Sequence, residues 1–75
     1  MKELIEFLAR SLVDSPDAVK VTETETDQMS TYEIEVDQPD VGKLIGRQGR
    51  IVKAIRSVVR AAAARQGKRV AVEVV

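Results

Sequence analysis

The stretch Val41–Ile55, VGKLIGRQGRIVKAI, decides how the chain is read. Gly42, Gly46 and Gly49 interrupt an apolar run where a helix would otherwise continue, and the residues between them are basic or carry an amide. Gly46 ends a short helix predicted to start in Gln38-Pro39-Asp40, and a longer helix is predicted from about Arg50 to Gln66. Glycine at 46 and 49 permits positive φ and leaves no Cβ, so another molecule can approach the backbone closely. The loop leads into a helix N-terminus, whose unpaired N–H groups and positive dipole end favour phosphate oxygens. Arg47 is a multidentate phosphate donor and Gln48 a neutral amide. Lys43 precedes the loop and Arg50 and Lys53 follow it, so a basic rim beside an apolar groove is expected.

Working outward, the long helix carries Ile51, Val52, Ala54, Ile55, Val58, Val59, Ala62 and Ala63, an apolar arc wider than the stripe of a surface helix. It should therefore touch more than a sheet. Gly67 stops it, with Arg65 and Lys68 near its negative end. Val70, Val72 and Val74 then alternate with Ala71 and Glu73 as a final strand. Upstream, Thr31–Asp37 alternates Tyr32, Ile34 and Val36 with Glu33, Glu35 and Asp37, the pattern of a half-buried strand. Ala18–Thr26 is a second strand region. Its Glu23 and Glu25 share parity with Val19 and Val21, so it needs a bulge or an end to burial near Val21. Asp27-Gln28-Met29-Ser30 is a polar turn. At the start, Leu4, Ile5, Leu8, Leu12 and Val13 recur at helical spacing until Ser15-Pro16-Asp17 halts them.

The order is α-β-β-α-α-β. A right-handed strand–helix–helix–strand crossover puts both later helices on one face of the sheet, and the first helix can join them. The expectation is an α+β fold with a three-stranded mixed sheet and three helices on one face. The opposite face, with Thr and Glu from the first two strands plus Glu73, should be open and acidic. Tyr32 and Phe7, the only aromatics, read as core.

In this setting IGRQGRIV, Ile45 to Val52, resembles the I-G-x-x-G-x-x-I core of KH domains, with Val52 in place of a frequent Ile. The element order resembles the type II arrangement of that fold, over essentially the whole chain, residues 1–75. The nearest likeness is to small bacterial RNA-binding proteins that consist of one type II KH domain, the KhpA type. The resemblance implies that the Gly46-Arg47-Gln48-Gly49 loop holds about four single-stranded nucleotides by their backbone while the bases lie in the groove. It places that groove between the two later helices and the last strand, with Val41, Gly42, Ile45, Val52 and Val70 as candidate lining. Gly42 reads equally well as a close-packing position. The resemblance also implies an RNA-chaperone or post-transcriptional regulatory role. It implies, too, self-association or pairing with a larger KH-containing protein of the Jag or KhpB type, and a link to cell shape in bacteria. Roughly 3 to 5 phosphate contacts would make binding fall steeply with salt.

Composition supports this reading and removes others. Residues 1–40 set three basic side chains against eleven acidic ones, whereas residues 41–75 set nine basic ones against Glu73 alone. Such a split suits a polyanion-binding surface beside an acidic one, or two halves that neutralise each other. Arg56 and Arg60 extend the basic stripe beyond Lys53 and read equally as solvated residues; Arg65, Lys68 and Arg69 suit the helix end. With no cysteine and no histidine, disulfides and the usual thiolate and imidazole metal sites are excluded. No obvious nucleophile, base or carboxylate pair supports an enzyme, and no cofactor is implied. Gly42-Lys43 is followed by Leu44, not the Ser or Thr of a nucleotide-binding loop. The first residues are too interrupted by Glu3, Glu6 and Arg10 for a secretory segment, and a soluble, cytoplasmic protein is expected. The competing reading is an interaction module whose long helix docks a partner helix, with Ala61–Ala64 allowing close approach.

Overall fold

The computed structural model describes residues 1–75. Helices α1 (Lys2–Leu12), α2 (Val41–Ile45) and α3 (Arg50–Arg65) join strands β1 (Lys20–Glu25), β2 (Ser30–Glu35) and β3 (Val70–Val74) in the order α1-β1-β2-α2-α3-β3. One-turn 3-10 segments sit at Pro16–Ala18, Gln38–Asp40 and Arg47–Gly49. The sheet order is β1-β2-β3, with β1 antiparallel and β3 parallel to β2, so the sheet is mixed as expected.

Strand register explains which residues are covered. Val21 lies opposite Ile34, and Tyr32 lies opposite both Glu23 and Val72, so these share one face. Ile34 is fully buried, and Val21, Tyr32 and Val72 are nearly so. Against them pack Ile5 and Ala9 of α1, Leu44 of α2, and Ile55 and Val59 of α3, forming one core. Burial in β1 ends at Val21 without a bulge, one of the two outcomes its sequence required. Beyond the helices, Glu23 extends over the phenol of Tyr32 and accepts its hydrogen bond at 2.7 Å. Burial, followed by that contact, pushes the Tyr32 hydroxyl up to about 12.

The strand parities correct the expected acidic face. Glu23 and Glu25 lie on the helix side, so the open face carries Lys20, Thr22, Thr24, Thr31, Glu33, Glu35, Ala71 and Glu73. Val36 falls just past β2 and is half-buried. Phe7 is 66% exposed rather than core, because Ile5 and Ala9 take the inward face of α1 and turn Phe7 outward. It lies among Glu3, Glu6, Arg10 and Ser11, whereas the exposed Leu12 and Val58 belong to a wholly apolar depression lined by Leu8, Leu12, Ile51, Ala54, Ile55 and Val58. No helix is long and apolar enough to cross a membrane.

Candidate nucleic-acid interface

The Gly46–Gly49 loop is built from backbone conformations that L-residues avoid. Gly46 has φ +71° and ψ −177°, a region open almost only to glycine, and a Cβ there would lie 2.7 Å from Ile51 Cγ1. Gly49 is left-handed at φ +72°. Gln48 is left-handed too, at φ 55°, the only non-glycine residue of the chain with positive φ. Strain of this kind on a bulky side chain costs about 1 kcal/mol and persists only where surrounding structure enforces it.

The loop is loosely closed at its end: the Gly49 N–H makes only a long 3.4 Å bond to Gly46 O, and the Arg50 N–H bonds to Arg47 O. No side chain caps α3, and no acidic residue occupies its first turn. Its positive end instead meets Arg47, Arg50 and Lys53, all exposed and none in an ion pair. For stability alone this charge has the wrong sign, since cations are unfavourable at a helix N-terminus. An anion supplied from outside would offset both the positive helix end and the guanidinium groups.

Lys43 is placed differently. Its ammonium donates to the Asp14 carboxylate, and that hydrogen bond raises its pKa above the ordinary lysine value. It is therefore a shared cation, about half exposed, rather than a free member of the rim. Beside this pair lies Asp40, a buried residue in the Gln38-Pro39-Asp40 helix start. Its two carboxylate oxygens accept the Asp14 and Ser15 N–H groups at 3.3 and 3.0 Å, tying the chain after α1 to the start of α2. The one sequence signal for it is an acidic residue directly before a helix, where the dipole favours negative charge.

The candidate lining residues do not form one patch. Ile45 is partly exposed on α2, Val41 is half-buried there, and Val52 lies buried beneath the loop at the start of α3. At Gly42 a Cβ would meet nothing within 4 Å, so close packing within the protein does not explain this glycine. Val70 sits apart. It borders a hollow with Met29, Arg60, Lys68 and Arg69, near the far end of α3. β3 runs back along α3, with Val72 opposite Arg56, so the strand's C-terminal end around Val74 is the end nearer the loop.

Comparison with known proteins agrees with this geometry. A family model described as KhpA/KhpB, KH domain, matches residues 2–74. Proteins named RNA-binding protein KhpA are 52% identical over 75 residues in Clostridium acetobutylicum and 51% identical over 75 residues in Clostridium perfringens. Both alignments cover 100% of this chain and 100% of the relative. The protein of that name from Aquifex aeolicus is 42% identical over 74 residues, 99% of this chain and 94% of its own. No solved structure gives a significant match. With the α-β-β-α-α-β order, the mixed sheet and the glycine loop opening α3, these likenesses establish that the chain belongs to the KhpA/KhpB family of KH domains.

Proposed function

We infer that the protein binds single-stranded RNA, holding the sugar–phosphate backbone at Gly46-Arg47-Gln48-Gly49 and the bases in the adjacent groove. The observation that carries this is the N-terminus of α3: without a side-chain cap, free of acidic side chains, and opened by a glycine loop in left-handed conformations whose arginines form no ion pair. The relatives' shared name, RNA-binding protein, supports the same reading. Arg47, Arg50 and Lys53 supply the phosphate contacts, Gln48 an amide, and Lys43 contributes when RNA displaces Asp14. Val41, Gly42, Ile45 and Val52 flank the bases, while Val70 would meet only a longer strand. The role that fits a small module with one such loop is that of a cytoplasmic RNA chaperone or post-transcriptional regulator, working with a second module to gain affinity. In bacteria such a regulator would reach cell shape through its target RNAs.

A second reading has its own observation. The exposed Leu12 and Val58 in an apolar depression between α1 and α3 suit a surface closed by a second copy or by a larger KH-containing protein of the Jag or KhpB type. On that reading association is the main task and RNA binding is weak.

The decisive comparison is RNA affinity of the wild type against an Arg47→Asp, Gln48→Asp double variant. Aspartate tolerates the left-handed conformation at 48, so the variant keeps its fold. Binding by the wild type at least tenfold above the variant, with a salt slope of roughly −0.7 per lost contact, supports the loop assignment. Equal binding overturns it. Two folded proteins that bind no RNA leave the association reading.

A further inference from the structure

Beyond the loop, one arginine is held in a way that surface arginines are not. The β2–β3 ladder includes Ser30 N–H to Arg69 O and Val75 N–H to Ile34 O, so Arg69, Ala71, Glu73 and Val75 turn their backbone groups toward β2. Val70, Val72 and Val74 therefore present theirs to the outer edge of the sheet. At that edge Arg56 Nε donates to Val72 O at 2.9 Å. The bond fixes the guanidinium plane against β3, and Arg56 is half-buried while Lys53 and Arg60 on the same stripe of α3 are exposed. The rest of its N–H fork meets no protein acceptor and no carboxylate.

Gly49, Lys53 and Arg56 follow one another along one side of α3, and Arg56 lies about 10 Å along the helix axis from the loop. A phosphodiester chain anchored at the loop tracks the exposed cations. A half-buried fork between α3 and β3 is reached by a base edge instead. We propose that Arg56 reads a nucleobase there, selecting one with two adjacent acceptors: cytosine through O2 and N3, or guanine through O6 and N7. Uracil sets its N3–H, and adenine its amino group, against the fork. This proposal rests on the RNA-binding reading above, which names no base preference.

The test is fluorescence anisotropy at one fixed salt concentration with labelled octamers of cytidine, uridine and adenosine. The wild type should bind the cytidine octamer about tenfold more tightly than the other two, the discrimination of one bidentate pair. Arg56→Lys keeps the charge and loses the fork, so its affinity for the uridine octamer and its salt slope should stay within about twofold while the cytidine preference disappears. A tie that only braced β3 would lower Tm in that variant and leave the base ratio unchanged. A check on the wild-type protein alone uses an octamer of a cytosine analogue lacking the 4-amino group. It keeps O2 and N3 and should still be preferred over uridine. Equal binding of all octamers by the wild type, a preference that survives Arg56→Lys, or rejection of the analogue would each overturn the proposal and leave the loop assignment standing. No binding of any octamer would overturn the RNA-binding reading and this proposal with it.

Discussion

The two ends of α3 carry similar residues and do opposite things. At the C-terminal end Gly67 takes φ +69°, its N–H bonds to Ala64 O at 3.1 Å, and Lys68 N–H bonds to Ala63 O at 3.0 Å. This closes the free carbonyls within the chain, and Arg65 and Lys68 add charge of the favourable sign. At the N-terminal end no side chain caps the helix, the Gly49 N–H makes only a long 3.4 Å bond, and Arg47, Arg50 and Lys53 add charge of the unfavourable sign. A glycine at a helix end can thus seal a terminus or bare it. Which of the two it does is told by the hydrogen bonds and by the sign of the charge around it, not by the glycine.

The largest expected difference comes from adding one methyl group at each end. Gly46→Ala must place Cβ against Ile51 in a backbone region reserved for glycine, so unfolding should become easier by about 3 kcal/mol. Gly67→Ala meets nothing within 4 Å and suffers only the left-handed conformation, about 1 kcal/mol. Urea unfolding of both variants checks the ordering. Similar losses at the two sites would mean that the loop relaxes readily and is not held in its strained form.

Next in size is Asp40→Ala, which strips both acceptors from the Asp14 and Ser15 N–H groups and should cost about 2 kcal/mol. Because the same contact holds Asp14 near Lys43, the variant should also free that lysine. At matched temperature below unfolding, its RNA affinity should be equal to or greater than wild type. A folded variant with greatly reduced affinity would show instead that α2 must be braced for the loop to work.

Charge reversal probes the ends more gently. Arg47→Glu with Arg50→Glu should raise stability by about 0.5 kcal/mol per charge at low salt while removing RNA binding. Lys68→Glu should lower stability by a similar amount, since it loses both the helix-end interaction and the exposed contact with Glu25 at 3.7 Å, and should leave binding nearly intact. Stability that falls in the first variant would refute the view that the loop charge is there for a ligand.

How much of this was legible beforehand divides along the same line. Element order followed from local periodicity: Val70, Val72 and Val74 at period two, the helical spacing in α1, the stop at Gly67. The glycine loop was legible because its residues are contiguous. What was hidden joins distant segments. Asp40 meets Asp14 and Ser15, Lys43 meets Asp14, and Arg56 meets Val72, and no local pattern encodes such pairs. Gln48 was hidden for a different reason, since glutamine has no preference for the left-handed region it occupies. Phe7 is exposed because aromatic character marks what can be buried, whereas the position of Ile5 and Ala9 on the helix decides what is.

Gly42 carries the smallest predicted effect and bears most directly on the groove. It lies within α2, is exposed, has no positive φ, and has open space where a Cβ would stand. Glycine in a helix is worse than alanine by roughly 0.5–1 kcal/mol because it loses more backbone freedom on folding. Gly42→Ala should therefore stabilise the protein by about 0.5 kcal/mol, the lower figure reflecting the brevity of the helix. A position that would be more stable with a methyl group, and that no neighbour keeps free of one, points to something outside the protein that needs the space. RNA lying along α2 needs it, so Gly42→Ala should bind an RNA octamer several-fold more weakly while its urea midpoint rises. A higher midpoint with unchanged affinity would remove Gly42 from the groove and leave the bases to pass nearer Ile45 and Val52.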